Sequence, residues 1–183
     1  MSWIWACHRW GVSSSAYRIH LKRDRFKFSC AHMTVFPDGT KERLHGHNYY
    51  LSLTIELDDI GFESIIDFGP LKDALAQLCS EWKERTLLAS ENPFFEILNQ
   101  TDTEIEFLLC KERYVLPMGD VLLLPIDNLS VEPLSKLACD RLFETMHQHL
   151  RPGVVRAIEV TIEENPGQGA TTRRVLDGQD SPR

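Results

Sequence analysis

Asn48-Tyr49-Tyr50-Leu51-Ser52-Leu53-Thr54-Ile55-Glu56-Leu57 carries apolar side chains at every second position, with polar or less apolar residues between them. Successive side chains of an extended chain face opposite ways, so this pattern predicts a half-buried strand of an antiparallel sheet. Upstream, Tyr17–Phe28 alternates similarly (Tyr17, Ile19, Leu21, then Phe26 and Phe28) and predicts a partner strand, with Pro37-Asp38-Gly39 as a turn between the two. Downstream, Gly69-Pro70 opens a helix with an apolar stripe at Leu71, Leu75, Leu78, Cys79 and Trp82, and Asn92-Pro93 breaks it. Glu104–Leu109 and Arg113–Pro117 read as a hairpin around Lys111-Glu112, and Val121–Leu124 as a short strand. Ser130 as N-cap, then Glu132 and Pro133 in the first turn, start a second helix buried through Leu134, Leu137, Ala138, Leu142, Thr145 and Met146. Val154–Ile162 is the last expected strand.

Strands before, between and after two amphipathic helices predict an α+β domain over residues 17–166, its antiparallel sheet covered on one face. Residues 1–16 read as an irregular N-terminal extension and 167–183 as a flexible, polar, glycine-containing C-terminal tail. Open sheet edges favour self-association into a homo-oligomer. The chain of 183 residues is long enough to bury a core unaided, and 43% hydrophobic with 26% charged residues is the balance of a water-soluble globular protein. A net charge of −7 argues against general binding of nucleic acid or an anionic membrane surface. Five scattered cysteines without a Cys-x-x-Cys spacing suit a reducing, cytoplasmic location, and Met1–Gly11 has neither a signal-peptide pattern nor a membrane span.

His45-Gly46-His47 stands where the long strand begins. Residues two apart on an extended chain share a side, so both imidazoles face one way, and the glycine lets a ligand or another backbone come close. His32, at the end of the first strand, reaches the same spot if the two strands pair. Three neutral imidazoles leave a tetrahedral zinc one open position, the catalytic arrangement. His147-Gln148-His149 has the same spacing on an expected helix, where such residues diverge, and reads as solvated surface. Gly39 followed by His45-x-His47 also matches the opening of a cupin metal motif. The glutamate that motif requires is missing, since Leu51 and Ser52 occupy its place, and two helices do not suit a jelly roll.

Phe28-Ser29-Cys30-Ala31-His32, His45-Gly46-His47-Asn48-Tyr49 and Ile66-Asp67-Phe68-Gly69-Pro70-Leu71-Lys72 together resemble the 6-pyruvoyltetrahydropterin synthase family, which includes the 6-carboxytetrahydropterin synthases. The similarity runs from about Tyr17 to Pro166, more loosely through Ser130-Val131-Glu132 and Ile162-Glu163-Glu164-Asn165-Pro166. It implies a tunnelling fold: an antiparallel four-stranded sheet with two helices, assembled into oligomeric barrels with active sites between subunits. It makes His32, His45 and His47 zinc ligands. It makes Glu164 the pterin anchor, with Glu163 as the alternative, since a carboxylate accepts two hydrogen bonds from the ring N–H and exocyclic amine. Ser130 and Glu132 match a further substrate-binding segment, although helix capping also accounts for them.

The chain departs from the family pattern twice. Its loop Asp38-Gly39-Thr40-Lys41-Glu42-Arg43-Leu44 lacks the usual cysteine, and Lys41-Glu42-Arg43-Leu44-His45 resembles a branch in which glutamate replaces it. That branch converts dihydroneopterin triphosphate to 6-hydroxymethyldihydropterin for folate synthesis, whereas the carboxy branch belongs to queuosine synthesis. The family's Asp-His pair falls at Glu84-Arg85. Glutamate can replace aspartate as a catalytic carboxylate, but arginine cannot exchange a proton near neutral pH. Arg85 is instead a candidate phosphate ligand, with Lys41 or Arg43. The resemblance therefore implies a zinc-dependent lyase with catalytic Glu42 and Glu84 and substrate-binding Glu164, Ser130, Glu132 and Arg85. Formation of 6-pyruvoyl- or 6-carboxytetrahydropterin is the sibling reading, against which the absent cysteine counts. Loss of both the cysteine and the histidine also leaves room for a zinc-stabilised, pterin-binding oligomer without catalysis.

Overall fold

The computed structural model describes residues 17–151 and 153–176; the extension expected at 1–16 lies outside them. Its elements are β1 (Tyr17–Leu21), β2 (Lys27–His32), β3 (His45–Leu57), α1 (Phe68–Trp82), β4 (Arg85–Ala89), β5 (Phe95–Gln100), β6 (Glu104–Leu109), β7 (Glu112–Pro117), β8 (Val121–Leu124), α2 (Val131–Met146), β9 (Val155–Asn165) and β10 (Gln168–Val175).

The long alternating stretch is the middle of the main sheet. β3 pairs antiparallel with β9 along one edge and with β1 and β2 in succession along the other. Its odd-numbered residues Tyr49 to Leu57 are all buried. The single strand expected over Tyr17–Phe28 is thus two strands on one edge of β3, because the charged run Lys22–Arg25 turns out of the ladder. Phe26 N–H closes that turn on Arg23 O at 2.9 Å, and the Phe26 ring is wholly buried.

The four-stranded sheet expected from the resemblance is enlarged to seven strands of mixed direction, β10-β9-β3-β2-β4-β8 with β1 also on β3. β4 and β8 add in parallel beside β2. Thr86-Leu87-Leu88-Ala89 and Val121-Leu122-Leu123-Leu124 are short apolar runs, typical of parallel strands covered on both faces, and give no period to read. The expected 167–183 tail also needs correction, because Gln168–Val175 pairs with β9 as β10. Residues 177–183 lie outside the described part.

Both helices pack into the same apolar core as the buried face of β3 and β9. Asp67 caps α1 by accepting from Gly69 N–H at 2.8 Å, and Trp82 at the far end meets Phe28 edge-on, ring centres 5.3 Å apart. Ser130 is the N-cap residue of α2 without a capping side-chain bond, and Ser135 Oγ joins α2 to Thr172 Oγ1 of β10 at 2.9 Å. Between β4 and β8 the chain forms a separate antiparallel sheet, β5-β6-β7. The hairpin expected there turns at Cys110-Lys111, both at positive φ (50° and 69°), one residue ahead of the expected Lys111-Glu112. A second apolar cluster of Ile105, Phe107 and Leu109 with Met33, Val35, Leu88 and Val121 seats this small sheet against the chain following β2. His147–His149 forms an exposed 3-10 turn just beyond α2. No described helix is long and apolar enough to cross a membrane.

Candidate metal and pterin site

His32 and His45 are directly opposed in the β2–β3 ladder, and His47 lies two residues on along β3. Pairing and the two-residue strand period therefore bring all three rings together. Ring centres are 4.7 Å apart for His32 and His45, 5.2 Å for His32 and His47, and 4.7 Å for His45 and His47. One nitrogen from each lies within 4.8 Å of the other two, the one such His/Cys/Asp/Glu cluster among the described residues. Gly46 is not forced by packing within the chain, since an added Cβ would meet only Cys30 O at 3.4 Å.

The donor set fits a metal cation. His45 Nδ1 is 2.7 Å from Arg43 O, the outer-sphere bond that fixes a tautomer and leaves Nε2 as the free donor. That Nε2 is 2.9 Å from His47 Nε2, two ring nitrogens aimed at one spot. His32 is buried, with Nε2 at 3.0 Å from the Tyr49 hydroxyl, while its Nδ1 has no hydrogen-bond partner among the described residues. Buried polar atoms rarely stay unpaired, and a filled metal site removes such an orphan. Burial, then the neighbouring His45 and His47, pull the His32 pKa down to about 4, so the ring is neutral near pH 7, as ligation requires.

The surrounding carboxylates come from three segments: the loop before β3, the end of β9 and the first turn of α2. Glu42 reaches within 4.0 Å of His45 Nε2, its backbone N–H held by Thr34 O at 2.9 Å. At the end of β9, Glu164 Oε1 lies 3.1 Å from His47 Nε2. Glu163, the alternative anchor, pairs instead with Lys22 Nζ at 2.5 Å, as the strand alternation demands. Ser130 and Glu132 come in from the start of α2, and the Ser130 hydroxyl holds the Glu132 carboxyl below the ordinary carboxylate range. Asn128 sets that segment against the site: its side chain accepts from Val35 N–H at 3.0 Å and donates to Val35 O at 2.9 Å. Glu42, Glu164, Ser130 and Glu132 line a cleft of 230 Å³ with the three histidines, Tyr49 and Gln168.

Glu84 and Arg85 do not line that cleft. They border a groove of 680 Å³ that shares His47 and Glu164 with it. Glu84 sits at φ 58°, its backbone N–H bonded to Ser29 O at 2.6 Å, and its exposed carboxylate pairs with Lys83 at 3.0 Å. The Arg85 guanidinium donates to Gly119 O. Lys41, an expected phosphate ligand, is turned away and covered, its Nζ 2.8 Å from Glu112 Oε2. Cys30 is buried, with its thiol pKa pushed up to about 12, and cannot replace the missing loop cysteine. Three contributors are new relative to the sequence reading. Tyr49 shares the strand face of His45 and His47, so the period already pointed to it; Asn128 and Gln168 carry no such signal.

A model of the 6-pyruvoyl tetrahydropterin synthase family matches residues 21–175. A putative 6-carboxy-5,6,7,8-tetrahydropterin synthase of Methanocaldococcus jannaschii is 30% identical over 154 residues, 82% of this chain and 91% of that protein. The crystal structure of 6-pyruvoyl tetrahydropterin synthase from Plasmodium vivax is 28% identical, with a TM-score of 0.80 over 88% of this chain and 99% of that one. A variant of the P. vivax protein, in which a glutamate described as its catalytic residue is replaced by alanine, is similar at 27% identity and TM-score 0.79, with the same coverage. Fold, matched span and sequence identity agree: the chain belongs to the 6-pyruvoyl tetrahydropterin synthase family of pterin lyases.

Proposed function

We propose that the protein is a zinc-dependent lyase that cleaves the side chain of dihydroneopterin triphosphate to give 6-hydroxymethyldihydropterin. The observation that carries this reading is the Glu42 carboxylate, 4.0 Å from His45 Nε2 in a cleft with three convergent imidazoles and no cysteine among the described residues that line it. The glutamate described as catalytic in the P. vivax protein supports the same assignment. Bound zinc supplies Lewis-acid polarisation of the substrate's side-chain oxygens.

Glu42 takes the proton from the 2′-hydroxyl as the 1′–2′ carbon–carbon bond breaks, leaving glycolaldehyde triphosphate with a new carbonyl. The electron pair passes into the dihydropterin ring, and the proton returns to C1′ to give the hydroxymethyl group, so atoms and charge balance. Glu164 accepts hydrogen bonds from the ring N–H and amino group, and Ser130 and Glu132 fix the ring from the start of α2. Burial pushes the Tyr49 phenol up, so it stays protonated and holds His32 rather than exchanging protons. We take the active form to be a homo-oligomer in which Glu84 and Arg85 serve a cleft completed by a second copy. Their absence from the histidine cleft of their own chain supports this.

A second reading, formation of 6-carboxytetrahydropterin, is favoured by the name of the M. jannaschii relative. Product identification separates the two. The zinc-loaded protein is incubated with dihydroneopterin triphosphate and the products are resolved by mass. A hydroxymethyl product that disappears in Glu42→Gln is the expected result. A pyruvoyl or carboxy product, or pterin binding with no turnover, contradicts it.

A further inference from the structure

The small sheet β5-β6-β7 has no part in the chemistry above, yet it grips the loop that carries Glu42. Lys41 and Glu42 are consecutive on an extended stretch bridged to Val35, so their side chains leave on opposite sides. Glu42 turns to the histidines and Lys41 to the small sheet. The Lys41 side chain is only 8% exposed; its Nζ lies 2.8 Å from Glu112 Oε2 and 5.3 Å from the centre of the Tyr114 ring. The Tyr114 hydroxyl donates to the same Glu112 oxygen at 2.8 Å. Tyr114 in turn stacks on buried Phe107 of β6, centres 5.2 Å apart and planes 12° apart. The loop tip is held as well, since the Phe94 ring lies 3.1 Å from where a Cβ on Gly39 would stand.

We infer that Glu112 and Tyr114 are positioning residues: they clamp Lys41, and so fix the Glu42 carboxylate over the histidine cleft. This rests on the reading of Glu42 as the proton-transfer group. An ammonium this well covered cannot also bind substrate phosphate without leaving Glu112. Loss of Glu112 leaves a covered charge unpaired, so Lys41 must move outward, and the adjoining Glu42 moves with it.

The test is steady-state turnover of dihydroneopterin triphosphate by the zinc-loaded full chain, with Glu112→Gln, Tyr114→Phe and Lys41→Met. Misplacing a proton-transfer group by a fraction of an ångström is expected to lower kcat about tenfold, with KM within about twofold and metal content unchanged. Because the clamp acts through Glu42, Glu112→Gln in a Glu42→Asp background, where the carboxylate is already withdrawn, is expected to cost less than about twofold more. A lower melting temperature with unchanged kcat, or an equal loss in both backgrounds, overturns the clamp and leaves the Glu42 assignment standing. An unchanged kcat in Glu42→Gln overturns that assignment and the clamp with it.

Discussion

At the scale of single residues, the site depends on which nitrogen of each histidine is free. His45 is oriented by Arg43 O and His32 by the Tyr49 hydroxyl. Tyr49→Phe removes one outer partner while keeping the ring in the core, so metal affinity is expected to fall about tenfold or more with little loss of stability. Competition with a chromophoric chelator measures it; an unchanged affinity contradicts the role given to Tyr49. Burial pushes the thiols of Cys30 and Cys79 up to about 12 and of Cys139 to about 11. Below these values each is a neutral thiol, so none of the three is expected to react with a disulfide reagent at pH 8 until the protein unfolds. Peptide mapping after labelling reads this directly. The three histidines were legible in the sequence because period two on one strand and pairing with the next are local rules. The Lys41–Glu112 contact was not, because Lys41 lies in the loop between β2 and β3 and Glu112 in the separate small sheet, and neither residue type signals the other.

Elements show the same division between periodic and non-periodic sequence. β3, α1 and α2 were legible because each carries a regular apolar stripe. β8 was expected as a short strand over Val121–Leu124, the bounds observed, whereas β4, five residues long and without alternation, was not. β10 escaped because its covered face is made of Ala170, Thr172 and the stem of Arg174, whose guanidinium lies 3.7 Å from the centre of the Phe143 ring. That strand covers the edge of β9, and Gln168 at its start lines the cleft. Ending the chain after Pro166 is therefore expected to lower the melting temperature by at least about 5 °C, on the order of 2 kcal/mol for a chain of this size. Ending it after Leu176 retains β10 and serves as the control. Equal thermal stability of the two would contradict a structural role for β10.

For the whole molecule, paired charges set the response to pH. Glu56 of β3 lies between Arg173 and Arg18, each with a nitrogen 2.5 Å from it, and the Arg173 hydrogen bond foremost holds its carboxyl below the ordinary 4.5. A lowered pKa in the folded state adds stability above pH 4.5, and that stability is lost as pH falls through the lowered value. Glu56→Gln is expected to flatten this acid limb in thermal unfolding followed from pH 7 to pH 3. An unaltered limb would contradict it. The fold places three imidazoles from two paired strands around one point, and everything proposed about the reaction depends on a metal being held there. Elemental analysis of the purified protein tests this most directly. About one zinc per chain is expected, falling to near zero in His45→Ala and His47→Ala that remain folded. Stoichiometric zinc retained in those variants, or none in the unaltered protein after loading, would contradict the account.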